Sequence, residues 1–235
     1  RVATEKTVYA MPETGIGFFT DVGGSYFLSR VKNNISLGLY LGLTGFRLKA
    51  EDLVQWGVAT HYVTTDKLQT LRDDLISNVT QSTTDEQILE IVNAHSDASA
   101  GQAPIENLDQ INEIFRAEGT VYDLYKTLQS SDSEFAAKTL KKLNFMSPLS
   151  CAIVFEQIKR GASMDLKAVF EMEYKLSQGF MDHTEFFEGV RALLVDKDRN
   201  PQWKHKSILD VGQDEVEWFF NQPHTLNLDI SKYSK

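Results

Sequence analysis

The stretch Met11-Pro12-Glu13-Thr14-Gly15-Ile16-Gly17-Phe18-Phe19-Thr20-Asp21-Val22-Gly23-Gly24 decides how the rest of the chain is read. It sets two carboxylates, Glu13 and Asp21, in a segment punctuated by four glycines. The residues before it, Thr7-Val8-Tyr9-Ala10, are β-branched and aromatic and predict a strand. The residues after it run through Tyr26, Phe27 and Leu28 to Arg30 and predict a helix, with Asp21 as an N-cap for the free N–H groups near Gly23 and Gly24. Strand, glycine-rich turn bearing acids, helix: open α/β sheets present reactive groups at a strand's carboxyl end in this way.

Further along, Ile35 to Leu43 is almost wholly apolar and predicts a buried helix, with Gly38 and Gly42 one turn apart for close packing. It is too short to span a membrane. Thr44-Gly45-Phe46-Arg47 reads as a turn, Lys49 to Trp56 as a short helix stopped by Gly57 at its C′ position, and Val58 to Val63 as a strand. Helices are expected at 66–77, 84–94, 107–117, 120–128 and 133–143, with a mobile polar loop over 95–104. Ser147 and Pro148 supply an N-cap and first helical residue for a helix reaching Gly161. Ser163 is the expected cap of the next helix, whose apolar stripe of Leu166, Val169, Phe170, Tyr174, Leu176 and Phe180 also contains Glu173. An acid on that face needs a partner or water. Asp182 and Glu185 suggest a capping box for a helix bearing Phe186, Val190, Leu193 and Leu194. A charged turn from Asp196 to Trp203, a short helix at 214–220 and a polar tail complete the chain.

At 235 residues and 42% hydrophobic content, the chain can bury a substantial core. Its formal net charge of -9 disfavours a general nucleic-acid binder. No apolar run approaches a membrane span. Cys151 is alone, so there is no intrachain disulfide framework, which fits a reducing compartment. Arg1 starts the chain without a methionine and leads almost at once into a strand, which reads as a processed or truncated chain.

Several chemistries drop out. There is no G-x-S-x-G elbow and no Walker loop, and Thr20 stands where a dinucleotide fingerprint needs its third glycine. The five histidines lack zinc-ligand spacing. The Glu13/Asp21 pair remains, with two readings. In one, Glu13 is a general base or nucleophile supported by Asp21, burial and like charge raising the pKa of one acid while the other stays ionised. In the other, Glu13 is a turn acid and Asp21 a helix cap. Likewise Arg191, Lys197 and Arg199 form either a phosphate-binding patch or solvated charges, with Arg191 paired to an acid such as Glu173. His61 reads as a satisfied structural histidine, and Tyr9 and Tyr26 as core or pocket wall.

The residues Ala10 to Gly17, then Asp21-Val22-Gly23-Gly24-Ser25-Tyr26, resemble the enoyl-CoA hydratase/isomerase (crotonase) superfamily, and within it the branch that hydrolyses 3-hydroxyisobutyryl-CoA. The likeness continues through Leu43 to Leu48, Gly57 to His61, Met146 to Ser150, Met172 to Ser177, Phe187 to Ala192, Asp196-Lys197-Asp198 and Pro201-x-Trp203. The Pro-Glu pair and the later Gly-Gly are superfamily-wide. The Asp before Val-Gly-Gly and the long helical stretch after Val63 mark the branch.

The resemblance implies an α/β crotonase-like (ββα spiral) core, here only its C-terminal part, with a predominantly helical remainder. Residues 1–65 would carry the core and active-site loop, 66–145 a helical insertion and 146–235 a C-terminal helical region. It implies a mitochondrial-matrix thioesterase of valine breakdown. Glu13 would be the catalytic carboxylate, and Asp21 would bind the substrate hydroxyl or orient water. Phe186 and Lys197 would lie near the nucleotide end of CoA. No cofactor beyond the substrate's own CoA, no nucleic acid and no membrane partner is implied, and a homo-oligomer is left open. The family's oxyanion hole uses backbone N–H groups upstream of the Pro-Glu motif, outside this chain. Losing one such donor costs about two to three orders of magnitude in rate, so the chain alone is expected to be inactive. Thr20 stands where close relatives often carry proline. The alternatives are enoyl-CoA hydration or isomerisation, and a non-catalytic helical interaction module.

Overall fold

The computed structural model describes residues 1–221. In chain order its strands are β1 (Val2–Ala3), β2 (Val8–Tyr9), β3 (Leu48–Lys49) and β4 (His61–Tyr62). Its helices are α1 (Gly24–Leu28), α2 (Ile35–Thr44), α3 (Asp52–Gln55), α4 (Leu68–Asn78), α5 (Asp85–His95), α6 (Leu108–Ile114) and α7 (Val121–Ser130). They continue with α8 (Glu134–Leu143), α9 (Pro148–Gly161), α10 (Leu166–Met181), α11 (Glu185–Val190) and α12 (Gln213–Asn221). The expected polar tail lies outside the described residues from 222 onward.

The chain divides into two compact units, one of 1–10 with 47–106 and one of 11–46 with the residues from 107. The expected boundaries at 65 and 145 do not coincide with this division. The reason lies in α2, whose apolar surface is covered by helices from the far end of the sequence.

In the first unit, β1 pairs with β4 in parallel, Val2 opposite His61 and Ala3 opposite Tyr62. β2 pairs with β3 antiparallel, Tyr9 opposite Leu48. The strand expected at 7–10 thus centres on Val8 and Tyr9, and that expected at 58–63 shortens to His61–Tyr62. The helix expected from Lys49 begins only at Asp52, because Leu48 and Lys49 are committed to β2 and Ala50 takes a left-handed φ of 48°. Gly57, with φ 75°, occupies the expected C′ position. Helix α5 carries a capping box of Thr84 and Gln87. The loop from Ser96 to Pro104 is pinned: Asp97 N–H donates to the Tyr62 carbonyl, and the Gln55 amide donates to the Ala103 and Pro104 carbonyls.

In the second unit, Leu37, Leu39, Leu41 and Leu43 of α2 are all buried. Each contributes about 1.5–3 kcal/mol by leaving water. The two helix glycines are needed for close approach. A Cβ on Gly38 would stand 2.0 Å from the Leu28 carbonyl oxygen, and one on Gly42 would stand 2.8 Å from Ile158 Cδ1. Helix α2 therefore packs closely against both α1 and α9, which also pack against each other. Helix α9 starts as expected, with Ser147 accepting from Ser150 N–H and Pro148 in the first turn.

Three caps differ from expectation. Helix α1 begins after Gly23, with no side-chain cap from Asp21. The cap of α10 is Asp165, which accepts from Ala168 N–H, while Ser163 bonds back to Arg160 in the turn leaving α9. Helix α11 has no capping box: Asp182 closes α10, and Glu185 turns inward, 1% exposed. Beyond Val190 the chain continues through a π turn at Arg191–Val195.

Candidate active site

Glu13 opens a 3-10 turn, Glu13–Ile16, which Gly17 closes at φ 71°. Three contacts fix this turn. Thr14 donates its hydroxyl to the Leu43 carbonyl at 3.1 Å and accepts Ser147 N–H on its own carbonyl at 2.9 Å. Ser147 in turn donates its hydroxyl to Glu185, whose other carboxylate oxygen accepts Lys204 N–H at 2.8 Å. Helix α11 presses onto the turn through glycine. A Cβ on Gly189 would stand 2.0 Å from the Ile16 carbonyl oxygen, and one on Gly17 would stand 2.4 Å from that of Glu185.

The turn is held, yet the side chain it carries is left without a complete set of partners. Glu13 Oε2 is buried and has no hydrogen-bond partner among the described residues. Desolvation pushes the Glu13 carboxyl up to about 7, a local backbone hydrogen bond opposes this, and the Asp21 charge adds to it. An acid that titrates near neutrality can take or give a proton under ordinary conditions.

Asp21 is half-buried and its side chain makes no hydrogen bond among the described residues. The cap it was expected to supply comes from Glu173 on α10. One Glu173 oxygen accepts Gly23 N–H at 2.7 Å; the other accepts Ser25 N–H at 3.0 Å and the Ser25 hydroxyl at 2.6 Å. Burial pushes Glu173 upward, these three bonds oppose that, and Asp21 pushes it further up. Gln157 of α9 completes the layer by donating to Ser25 Oγ at 2.7 Å and to the Thr20 carbonyl. The Thr20 hydroxyl itself has no partner among the described residues. Among the described residues the hydrogen bond of Thr20 to Gln157 is made through the carbonyl, a group that proline also offers.

Of the other expected site residues, Phe186 is brought to the segment between Glu13 and Asp21, its ring centroid 4.7 Å from that of Phe18. Phe18 also meets Phe19 at 4.4 Å and Phe180 at 5.3 Å. Lys197 is exposed, with φ 58°, and no hydrogen bond or ion pair holds its side chain among the described residues. Arg191 is taken by Glu188 at 2.8 Å, Asp196 at 2.7 Å and Asp198 at 2.6 Å, rather than by Glu173. Arg191 and the Gln202 N–H together hold Glu188 down at about 2. His61 is satisfied by Thr60 and Asn93, and Tyr26 lies under the Arg30 guanidinium at 3.9 Å. Among the described residues no cluster of His, Cys, Asp and Glu has a metal-holding arrangement, and no helix is long and apolar enough to cross a membrane. Burial pushes the Cys151 thiol far up, away from the reactive thiolate.

The sequence reading missed the Ser25–Gln157–Glu173 layer and the Ser147–Glu185 pair. Glu173 was visible as an acid on an apolar stripe, but nothing local told which donors it would meet.

A model of the enoyl-CoA hydratase/isomerase family matches residues 1–220. The chain belongs to that family. Its relatives include the mitochondrial 3-hydroxyisobutyryl-CoA hydrolases of Xenopus laevis, 45% identical over 98% of this chain and 60% of the relative, and of Homo sapiens, 43% identical over 94% and 57%. The chain thus spans about 60% of the length of the curated relatives it matches. Among solved structures it is similar to a carnitinyl-CoA dehydratase from Mycobacterium thermoresistibile, with TM-score 0.82 and 30% identity over 97% of this chain and 63% of that one. An enoyl-CoA hydratase from Rhodobacter sphaeroides gives TM-score 0.73, also at 30% identity, over 94% and 61%. These neighbours carry the crotonase fold, and the chain supplies a largely helical part of it.

Proposed function

We propose that the protein containing this chain hydrolyses 3-hydroxyisobutyryl-CoA to 3-hydroxyisobutyrate and CoA, a step of valine breakdown in the mitochondrial matrix. The observation that carries this reading is the Glu13 carboxyl: half-buried, with one oxygen buried and unpartnered, and poised at about 7 beside the Asp21 charge. It is supported by relatives bearing that hydrolase name over nearly the whole chain. Glu13 attacks the thioester carbonyl or removes a proton from the attacking water, both of which need the carboxylate form. The bond broken is carbonyl carbon to sulfur, and CoA leaves as the thiol with a proton from water; where Glu13 attacks, water then cleaves the acyl–Glu13 anhydride, releasing the acid and restoring the carboxylate. Asp21, with its side chain uncommitted, accepts the substrate's hydroxyl or orients the water. Phe186 and Lys197 flank the CoA moiety, and no cofactor is required beyond it.

A second reading, hydration or dehydration of an enoyl-CoA, draws on the names of the two similar solved structures. The deciding experiment gives the full-length protein 3-hydroxyisobutyryl-CoA and an enoyl-CoA in parallel. Release of free thiol from the first, without consumption of the enoyl double bond in the second, is the expected result. Enoyl consumption without thiol release would replace hydrolysis by hydration. Neither reaction, from a folded full-length protein, would leave the helical interaction module.

A further inference from the structure

The geometry points to Glu173 as a positioning residue that aims Asp21 by clamping the loop on which Asp21 sits. This rests on the hydrolase reading of the Glu13/Asp21 pair.

Four observations converge. Asp21 lies two residues before Gly23, and Gly23 N–H is gripped by Glu173 Oε2 at 2.7 Å. The other Glu173 oxygen takes both the amide and the hydroxyl of Ser25. The residue between Asp21 and the clamp, Val22, is β-branched, 77% exposed, and has a left-handed φ of 54°. A valine rarely adopts that backbone, and its exposed side chain buries little to offset the strain, so another interaction must hold the conformation. Finally, the segment is braced on its other side, where Gln157 donates to the Thr20 carbonyl and to Ser25 Oγ. The chain is therefore fixed at Thr20 and at Gly23–Ser25, and Asp21 is displayed between the two anchors with its carboxylate unengaged.

The clamp is specific to a carboxylate. It presents acceptors alone to three donors. In Glu173→Gln one of the two terminal atoms becomes an N–H group, which faces either Gly23 N–H or the Ser25 donors and cannot accept from them. Loop and acid then lose their register while the rest of α10 stays packed.

The test is a double-mutant cycle in the full-length protein with 3-hydroxyisobutyryl-CoA as substrate. Glu173→Gln should lower kcat about tenfold to a hundredfold, as a misplaced catalytic group does. If Glu173 acts through Asp21, the Asp21→Asn/Glu173→Gln double variant should be no slower than Asp21→Asn alone, within about twofold. Multiplying effects in the double variant, or an unchanged kcat in Glu173→Gln, would overturn the inference. Should Glu173→Gln fail to fold, Ser25→Ala removes one of the three donors and enters the same cycle with the same criterion. If the wild-type protein releases no thiol, the hydrolase reading fails by itself, and amide exchange decides the clamp. Faster exchange at Gly23 and Ser25 in folded Glu173→Gln supports it, and unchanged exchange overturns it.

Discussion

Glu13 and Glu173 occupy adjoining regions of the same unit, and burial raises the pKa of both, yet their surroundings differ in kind. Around Glu173 every acceptor is engaged: two backbone amides and a hydroxyl converge on it, and its residue is 4% exposed. Around Glu13 the backbone is pinned through Thr14, while one carboxylate oxygen is buried with no donor supplied. Folding alone gains nothing from that second arrangement, since an unmet buried acceptor costs about 1–3 kcal/mol. On the proposed function, the difference separates an acid kept for a reacting partner from an acid that holds the architecture. It also explains why Asp21 is free of the capping role that Glu173 performs.

The contrast is broken most severely at Glu13. In the full-length protein, Glu13→Gln should lower kcat for thioester hydrolysis by about three orders of magnitude, read as free thiol released per unit time. A loss under about tenfold would reduce Glu13 to a turn residue. Stability should move in opposite directions at the two acids. Glu173→Ala leaves three donors unmet and should destabilise the fold by about 3 kcal/mol in chemical denaturation. Glu13→Gln should stabilise it at pH 8 by ~2 kcal/mol. The sign follows from linkage: the raised carboxyl binds more protons folded than unfolded between about 4.5 and about 7, so wild-type stability falls as pH rises through that window. The advantage of the variant should therefore vanish below about pH 4.5.

Gly189→Ala sharpens the comparison from the packing side. Its Cβ would meet the Ile16 carbonyl oxygen at 2.0 Å, so α11 must shift off the turn that carries Glu13. A loss of about 1–3 kcal/mol is expected, with a fall in kcat beyond that of a substitution at exposed Phe187. The smallest effect belongs to Arg191→Ala. Its guanidinium is already engaged by Glu188, Asp196 and Asp198, so the KM for an acyl-CoA thioester should stay within about twofold of wild type. A larger rise would return Arg191 to the phosphate-binding role.

Much of this was legible in residue order. The apolar run of α2, its two close-packing glycines, the Ser147-Pro148 start of α9 and the strand before Glu13 all follow from periodicity and local steric rules. Local rules failed where a distant group supplied the bond. Asp21 satisfies every local criterion for an N-cap, but Glu173, 150 residues away from Gly23, takes the donors first. Glu185 likewise fits a capping box and instead reaches Ser147. Arg191 is paired to acids, as one of its two readings has it, but to close neighbours rather than Glu173: Glu188 lies one turn before it, and Asp196 and Asp198 follow the π turn. The division into units is not visible in residue order because α2 and α9 meet across more than a hundred residues of chain. The acid pair stands out by type and spacing, whereas the unpartnered Glu13 oxygen is a property of packing alone.

The most direct measurement is the pH profile of 3-hydroxyisobutyryl-CoA hydrolysis by the full-length protein, wild type against Glu13→Gln. A carboxyl poised at about 7 that must be ionised to act predicts a wild-type kcat/KM rising with pH and levelling off above about 7, with no such limb in the residual activity of the variant. A wild-type rate already level from about pH 5 upward, or a Glu13→Gln profile superimposed on it, would contradict the assignment of Glu13 as the working acid.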